Sequence, residues 1–244
     1  MHPTLALTGE RTLPGIAAEN YWFRRHEAAY EALLPFCPGA VVLEAGCGEG
    51  YGADRIAAVA RTVVGLDYDA AAVAHVAGAY PGVRAVRGNL ARLPLRTGAV
   101  DVVASLQVLE HLWDQPGFLA ECARVLRPAG TLLLTTPNRI TFSPGNRPLN
   151  PFHSRELDPG ELAELLTGAG YELSRFLGLR HGPRLRKLDR RFGSLVDAQL
   201  AGPPGTWHDE LRRAVAGVRT ADFTLEPDDL DDCLDLVAVA VHHP

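Results

Sequence analysis

An acidic residue followed by closely spaced glycines is the part of the sequence with the clearest chemical meaning. Glu44 ends a short apolar run, and Gly46, Gly48 and Gly50 follow it at alternate positions. Glycine lets a chain turn tightly and leaves no side chain between the backbone and a ligand. Roughly 20 residues further on, a second apolar run ends at Asp67. From this position a carboxylate can accept hydrogen bonds from both hydroxyls of a ribose. The pattern predicts a nucleotide-type cofactor where parallel strands end.

Two cofactors suit this arrangement, a dinucleotide and S-adenosylmethionine. The dinucleotide fingerprint Gly-x-Gly-x-x-Gly requires a glycine at position 51, where this chain has Tyr51. The negative charge of Glu44 is unfavourable near a pyrophosphate but favourable near the ammonium group of a methionine moiety. The residues therefore favour S-adenosylmethionine.

The elements around these residues alternate between strands and helices. Short β-branched runs predict strands, and Ala-rich stretches predict the helices between them. The strands are expected over residues 41–43, 62–66, 83–86, 100–106 and 131–135, and the helices over residues 51–60, 70–79 and 118–126. Such alternation is typical of a doubly wound, parallel α/β sheet. Two closing strands, over residues 171–179 and 234–241, suit an antiparallel edge.

The 244 residues fit a single domain with three parts. Residues 1–38 are expected to form an N-terminal helical cap and residues 39–136 the cofactor-binding core. Residues 137–244 follow with an acceptor-side loop, a helical insertion and the closing strands, and Asp158 is predicted to cap a helix within this part. The insertion, over residues 183–217, also offers a contact surface for a homo-oligomer.

Composition excludes several classes of function. The formal charge of −5 argues against a general nucleic-acid binder, which needs a basic surplus to neutralise phosphates. No apolar run approaches the ~20 residues that cross a bilayer, and residues 1–10 lack the pattern of a secretion signal. The four cysteines lie far apart, which predicts neither a disulfide scaffold nor a zinc site. A cytoplasmic enzyme is expected.

The core, residues 41–136, resembles class I S-adenosylmethionine-dependent methyltransferases. The similar segments are residues 63–69 at the ribose-binding strand end, 88–90 near the adenine, 107–112 after the fourth strand, and 124–130 before the fifth. Asn89 replaces a frequent Asp, and Ala129 a usual glycine. The resemblance implies a Rossmann-like, seven-stranded sheet in the order 3-2-1-4-5-7-6. It also implies that the following residues bind the cofactor: Glu44, Gly46, Cys47, Gly48, Asp67, Tyr68, Asn89, Leu90 and Gln107.

The flanking segments are similar to one branch of these enzymes. Residues 9–14, 19–26, 150–157 and 181–185 resemble an actinobacterial branch associated with methylglucose lipopolysaccharide assembly. That resemblance implies an O-methyltransferase acting on a hydroxyl of a small sugar or glycosylglycerate. A quinone, lipid or other secondary metabolite is the alternative acceptor. A non-catalytic, cofactor-binding regulator is the alternative of another class, and the intact acid and glycine set argues against it.

A general base is expected on the acceptor side, because a sugar hydroxyl is a poor nucleophile until its proton leaves. His153 is predicted to be this base, with Glu156 orienting it, and His111 is the second candidate. Magnesium could activate the hydroxyl instead. However, Glu110 and His111 are adjacent in sequence, so no metal site is predicted, although magnesium stays open.

Arginines are numerous in the segments expected around the acceptor. Together they could hold an anionic group such as a glycerate carboxylate, because guanidinium groups bind carboxylates with two hydrogen bonds. Tyr21 and Trp22 could stack on a sugar ring, although a helix packed on the sheet is the more ordinary interpretation of this segment. The predicted acceptor-binding residues are therefore Tyr21, Trp22, Arg24, Arg25, Arg139, Arg155 and Arg184.

Overall fold

An eight-stranded mixed sheet forms the centre of the protein. The computed structural model describes residue 5, residues 11–145 and residues 150–243. Parts of two predicted features, residues 9 and 10 and residues 146–149 of the long loop, lie outside this range. The strands are β1 (Val41–Ala45), β2 (Thr62–Asp67), β3 (Val83–Arg87), β4 (Val100–Leu106), β5 (Leu126–Pro137), β6 (Tyr171–His181), β7 (Phe223–Glu226) and β8 (Asp235–His242). Their order in the sheet is β3-β2-β1-β4-β5-β8-β6-β7.

The five N-terminal strands are parallel, as the alternating pattern predicts. Leu43 of β1 is in register with Val64 of β2 on one side and Val103 of β4 on the other. Strands covered by helices on both faces need apolar residues at nearly every position, and β1 and β4 are buried along most of their length. β8 then joins β5 in antiparallel orientation and also pairs with β6, so the closing edge is antiparallel as expected.

The predicted count of seven strands is wrong, because β7 adds an eighth at the edge. β6 extends to His181, two residues beyond the predicted end, and this leaves an edge that β7 covers through the pairing of His181 with Phe223. A four-residue strand has too few alternating positions for its pattern to be recognised in the sequence. The order of the other seven strands agrees with 3-2-1-4-5-7-6 once β8 is counted as the seventh.

Nine α-helices are present in the described part of the chain. They are α1 (Asn20–Leu33), α2 (Tyr51–Ala57), α3 (Ala70–Ala79), α4 (Gln115–Val125), α5 (Arg139–Phe142), α6 (Pro159–Gly168), α7 (Pro183–Phe192), α8 (Leu195–Leu200) and α9 (Asp209–Ala216). The predicted cap of α6 is confirmed, since the Asp158 side chain accepts from the Glu161 amide while the Glu161 side chain accepts from the Asp158 amide.

Two apolar layers hold these helices on opposite faces of the sheet. On one face, Tyr21 and Tyr30 of α1 pack with Leu185 of α7 and Leu211 of α9. On the other, Phe118 of α4 and Leu162 of α6 pack with strand residues. The N-terminal cap and the insertion therefore share one side of the molecule. No helix in the part of the chain that the structure describes is long and apolar enough to span a membrane.

Candidate active site

A cavity of about 340 Å³ lies where β1, β2 and β4 end, and Gly46, Cys47 and Gly48 form part of its wall. Gly46 has a φ of +85°, and a Cβ there would lie 2.6 Å from Cγ2 of Val108. Gly48 has a φ of +54°, and a Cβ there would meet no atom within 4 Å, so this residue faces open space. The turn is therefore packed closely on one side and open toward a ligand on the other.

Asp67 presents a fixed carboxylate to this cavity. Its Oδ2 accepts from the backbone amide of Gly48 at 2.9 Å, and its Oδ1 accepts from the amide of Asp69 at 2.9 Å. The residue is buried and lies on the cavity wall. Each carboxylate oxygen keeps a second lone pair, so the group has the donor-accepting capacity that a pair of ribose hydroxyls requires. The residues present thus fit an adenosyl cofactor.

Glu44 lies behind the cavity instead of on its wall. The residue is 1% exposed, and its Oε1 accepts a hydrogen bond from the hydroxyl of Tyr30 in α1. Burial raises the pKa of Glu44 to about 8, so the carboxyl is mostly protonated at neutral pH. Its Oε2 is buried and has no hydrogen-bond partner among the described residues, and a contact between Glu44 and the ammonium group of the cofactor stays a prediction.

Only some of the residues predicted to lie near the adenine are on the cavity wall. Leu90 lines the cavity, as does Tyr68, which is 67% exposed. Asn89 is exposed and is not on the wall, and its Oδ1 accepts from the amide of Ala91. The side chain oxygen thus holds its own turn, and the contact between the Asn89 amide and a base edge stays a prediction.

Gln107 occupies a strained position directly after β4. Its φ is +56°, a region that residues with side chains rarely adopt, and its amide donates to the carbonyl of Thr135 at 2.9 Å. The side chain Nε2 donates to Oγ1 of Thr135 at 3.2 Å. Strained backbone is common at ligand-binding sites. Gln107 lines the first cavity and also a second one.

Several wall residues come from the N-terminal cap and were not predicted. Arg11 lines the first cavity and binds Oδ2 of Asp69 at 2.8 Å, which lowers the pKa of that carboxyl. Thr12, His26 and Tyr51 are also on the wall, and the Thr12 and Tyr51 hydroxyls lie 3.2 Å apart. Burial lowers the pKa of His26 to about 4. Polar residues occur just before and within the first helix, and this could have indicated a role in binding. Their spacing in the sequence, however, does not show that they lie next to the cofactor turn.

A second cavity, of about 270 Å³, adjoins the first on the side of β5. Residues common to both walls are Arg11, Thr12, His26, Gln107 and His111. Trp22, Phe142 and His153 line the second cavity but not the first. Two cavities that share walls at the carboxyl edge of a sheet can hold two reactants side by side. The second cavity is therefore the candidate acceptor site.

His153 and Glu156 form the predicted pair. Nδ1 of His153 lies 2.6 Å from Oε1 of Glu156, and the Glu156 side chain is fully buried. The Phe142 ring stacks on the imidazole with centroids 5.6 Å apart. A carboxylate on Nδ1 fixes the tautomer, so Nε2 carries the lone pair that can accept a proton. This is the arrangement of a positioned general base.

His111 lies beside His153, so the structure brings both candidate histidines together. Their ring centroids are 4.9 Å apart, and Nδ1 of His111 lies 2.9 Å from the carbonyl of Phe152. Glu110 is also buried nearby, where its Oε2 accepts from the Thr136 hydroxyl at 3.0 Å. Burial raises the pKa of Glu110 to about 8.

The same residues could also hold a cation. Glu110, His111 and His153 each offer one ligand atom, and these atoms lie within 4.8 Å of one another. His153 comes from a distant loop and adds the further ligand that the adjacent Glu110 and His111 would need. The donor set of two imidazoles and one carboxylate suits zinc or another transition metal better than magnesium, which prefers oxygen ligands.

The two aromatic residues of α1 have different positions. Trp22 lines the second cavity. Tyr21 is fully buried, and its hydroxyl lies 2.6 Å from Nε2 of His181. The expectation that Tyr21 binds the acceptor is corrected by this placement, since its ring packs in the core between α1 and the closing strands.

The expected cluster of arginines around the acceptor is also corrected. Arg24 pairs with Glu27, Arg139 with Asp158 and Glu161, Arg155 with Glu161, and Arg184 with Asp222. Of the five predicted arginines, only Arg25 lies on the second cavity within the described part of the chain. Arg25 is itself paired with Asp235, at 2.6 Å to each carboxylate oxygen. The other four arginines do not line that cavity, and each of the five is paired with an acid.

A family model described as a methyltransferase domain matches residues 43–134, which begin in β1 and end in β5. The chain is 59% identical over 244 residues to a protein of Mycolicibacterium smegmatis described as "Probable S-adenosylmethionine-dependent methyltransferase". That alignment covers 97% of this chain and 95% of the relative.

Two further similarities are more distant. A ubiquinone biosynthesis O-methyltransferase of Hahella chejuensis is 31% identical over 179 residues, covering 66% of this chain and 74% of the relative. The crystal structure of an S-adenosylmethionine-dependent methyltransferase from Mesorhizobium loti has a TM-score of 0.58 at 19% identity. It covers 89% of this chain and 98% of its own, and at that identity it shows the fold alone.

Proposed function

The chain belongs to the family of S-adenosylmethionine-dependent methyltransferases, and from this premise we propose that it methylates a hydroxyl group of a small sugar acceptor. The observation that supports this most directly is the His153–Glu156 pair on the wall of a cavity that adjoins the cofactor cavity. Sugar or glycosylglycerate units of a polysaccharide such as methylglucose lipopolysaccharide are the acceptors that the sequence resemblance implies. The neutralised arginines favour binding through the sugar over binding through a carboxylate.

In this proposal the first cavity holds the adenosyl part of S-adenosylmethionine. Asp67 would hold the ribose hydroxyls, and Leu90 and Tyr68 would line the space for the adenine. When bound, the cofactor supplies an activated methyl group on sulfur. Gly48 leaves room for it, because no side chain fills the open side of the turn.

The proton transfer is assigned to a residue of the acceptor cavity. The acceptor hydroxyl would give its proton to Nε2 of His153 while its oxygen bonds to the methyl carbon and the bond from that carbon to the donor sulfur breaks, with the electron pair left on sulfur. Glu156 accepts from Nδ1 and stabilises the imidazolium that results. The remaining rate enhancement comes from placing the acceptor oxygen in line with the methyl group, because an activated methyl donor mainly requires orientation.

The His153→Ala variant tests the proposed base. We expect S-adenosylmethionine to bind as in the wild type by calorimetry, while the methylation rate falls by roughly 10²–10⁴, the usual contribution of a general base. His243→Ala is the matched control, because His243 is exposed and lies at the end of β8. A rate near the wild-type value in His153→Ala would contradict the assignment.

The acceptor class is tested with a labelled methyl donor and a panel of uncharged glycosides, glycosylglycerates and simple phenols. We expect incorporation into the glycosides, with the methylated hydroxyl located by mass spectrometry. Phenols represent a second candidate, because the relative from Hahella chejuensis is described as an O-methyltransferase of ubiquinone biosynthesis. Transfer to phenols alone would replace the sugar proposal with that one.

Chelation separates base catalysis from cation-assisted catalysis at the same residues. If His153 acts as the base, activity survives treatment with EDTA. Loss of activity that added metal restores would instead assign Glu110, His111 and His153 as ligands.

A further inference from the structure

A third cavity, of about 220 Å³, lies beside the proposed acceptor cavity. Its wall includes His181 at the end of β6, Asp189 of α7, and Ser194 before α8. Arg25 and Phe142 line both this cavity and the acceptor cavity, so the two spaces meet at these side chains. The three cavities therefore follow one another along the carboxyl edge of the sheet.

Arg25 has an unsatisfied donor at this junction. Its Nε and Nη2 bind the two oxygens of Asp235, and Nη2 also donates to the carbonyl of Leu234 at 2.9 Å. Nη1 is buried and has no hydrogen-bond partner among the described residues. A buried donor without a partner is costly, and because Arg25 lines both cavities, an acceptor atom on a ligand at this junction would remove that cost.

The third cavity has the chemistry of a site for a neutral, hydroxyl-rich group. The carboxylate of Asp189 is held in place by His181 Nδ1 at 2.5 Å and by the amide of Leu195 at 3.0 Å. Such a carboxylate can accept hydrogen bonds from hydroxyl groups but repels anions. Phe142 and Val196 add apolar surface for the carbon face of a ring. Arg25 provides no net charge, because Asp235 neutralises it.

The sizes of the cavities agree with a ligand that spans both. Each of the two is smaller than the roughly 300–1,000 Å³ of typical small-molecule sites, whereas together they fall within that range. We propose that the third cavity is a second acceptor subsite, which binds an uncharged sugar unit linked to the unit that is methylated. Nη1 of Arg25 then donates to an oxygen at the linkage. This inference rests on the proposed function and specifies its substrate as an acceptor of at least two sugar units.

A ladder of uncharged glycosides with one, two and three units tests this subsite. For the wild-type protein we expect kcat/KM to rise about tenfold from one unit to two. Val196→Phe places a ring in the third cavity, and we expect it to reduce the ratio of the two-unit to the one-unit kcat/KM to about one. Val59→Phe is the control, because Val59 is exposed after α2, and its ratio should equal that of the wild type.

Direct binding distinguishes failure of the subsite from failure of the proposed function. Saturation-transfer NMR with the three-unit glycoside and the product form of the cofactor should detect both sugar ends in the wild type, but only one in Val196→Phe. Methylation with no dependence on length overturns the subsite and leaves the proposed function intact. If no glycoside is methylated or bound, both fail. Thermal unfolding of Val196→Phe near the wild-type temperature confirms that the variant is folded.

Discussion

The cofactor side and the acceptor side of the site lie on one edge of the same sheet but are held by different contacts. On the cofactor side, the backbone amides of Gly48 and Asp69 hold Asp67, and glycines shape the turn. On the acceptor side, side chains from distant segments meet, as Arg25 of α1 does with Asp235 of β8. The geometry of the cofactor side therefore depends on residues at neighbouring strand ends. The geometry of the acceptor side depends on residue pairs that are far apart in the chain.

The largest effect is expected from breaking the Arg25–Asp235 pair. In Asp235→Ala the guanidinium group stays buried without its partner, which costs about 3–5 kcal/mol of unfolding free energy. Urea denaturation measures this loss. Asp231→Ala, an exposed acid of the segment before β8, is the control and should change stability by less than about 0.5 kcal/mol. Equal stability of Asp235→Ala and Asp231→Ala would show that the acceptor side does not depend on the Arg25–Asp235 pair.

A smaller effect is expected on the cofactor side. Asp67→Ala removes charge-assisted hydrogen bonds to the ribose and should weaken binding of S-adenosylmethionine by on the order of 2 kcal/mol. Calorimetry measures the affinity. Asp54→Ala in α2 is the control, since Asp54 is exposed and does not line the cavity. Unchanged affinity in Asp67→Ala would move the ribose to another part of the cavity.

The smallest effect is the part of the pH dependence of stability, between pH 7 and 8.5, that a single buried carboxyl contributes. Burial raises the pKa of Glu44 and of Glu110 to about 8 in the folded protein, from an ordinary value of 4.5. Between these values the folded state binds more protons than the unfolded state, so stability falls as pH rises and this contribution is lost through pH 8. Each group contributes up to about 1.4 kcal/mol per pH unit.

Denaturation between pH 7 and 8.5 measures this slope above the range in which His26, whose pKa is lowered, contributes with the opposite sign. Glu44→Gln should flatten the slope, whereas Glu164→Gln, an exposed substitution in α6, should leave it unchanged. A slope that Glu44→Gln does not alter would mean that the carboxyl is ionised in the folded protein. It would then restore a charged role for Glu44 on the cofactor side.

The same difference explains what could be predicted from the sequence. The parallel strands and the position of Asp67 follow from local patterns, since apolar runs and glycines act within a few residues. The order of the strands came from the family resemblance. The pairing of His153 with Glu156 was also within reach, because the two are three residues apart. Glu44 was placed at the correct strand end, but its contact with Tyr30 could not be predicted, because Tyr30 belongs to a helix whose packing is not visible in the sequence. The predicted arginine cluster differs from the structure for a related reason. Tertiary contacts determine which acid lies next to each arginine, and the sequence does not show these contacts.

β8 has a consequence for how the protein is made. It lies between β5 and β6 and pairs with both, so β6 and β7 join the sheet only through it. During synthesis, the strands around Asp67 can assemble as soon as β5 has left the ribosome, because their partners all precede it in the chain. Arg25 must wait for Asp235, 210 residues later, before its charge is compensated. A nascent chain can therefore form the cofactor turn well before the acceptor cavity is complete.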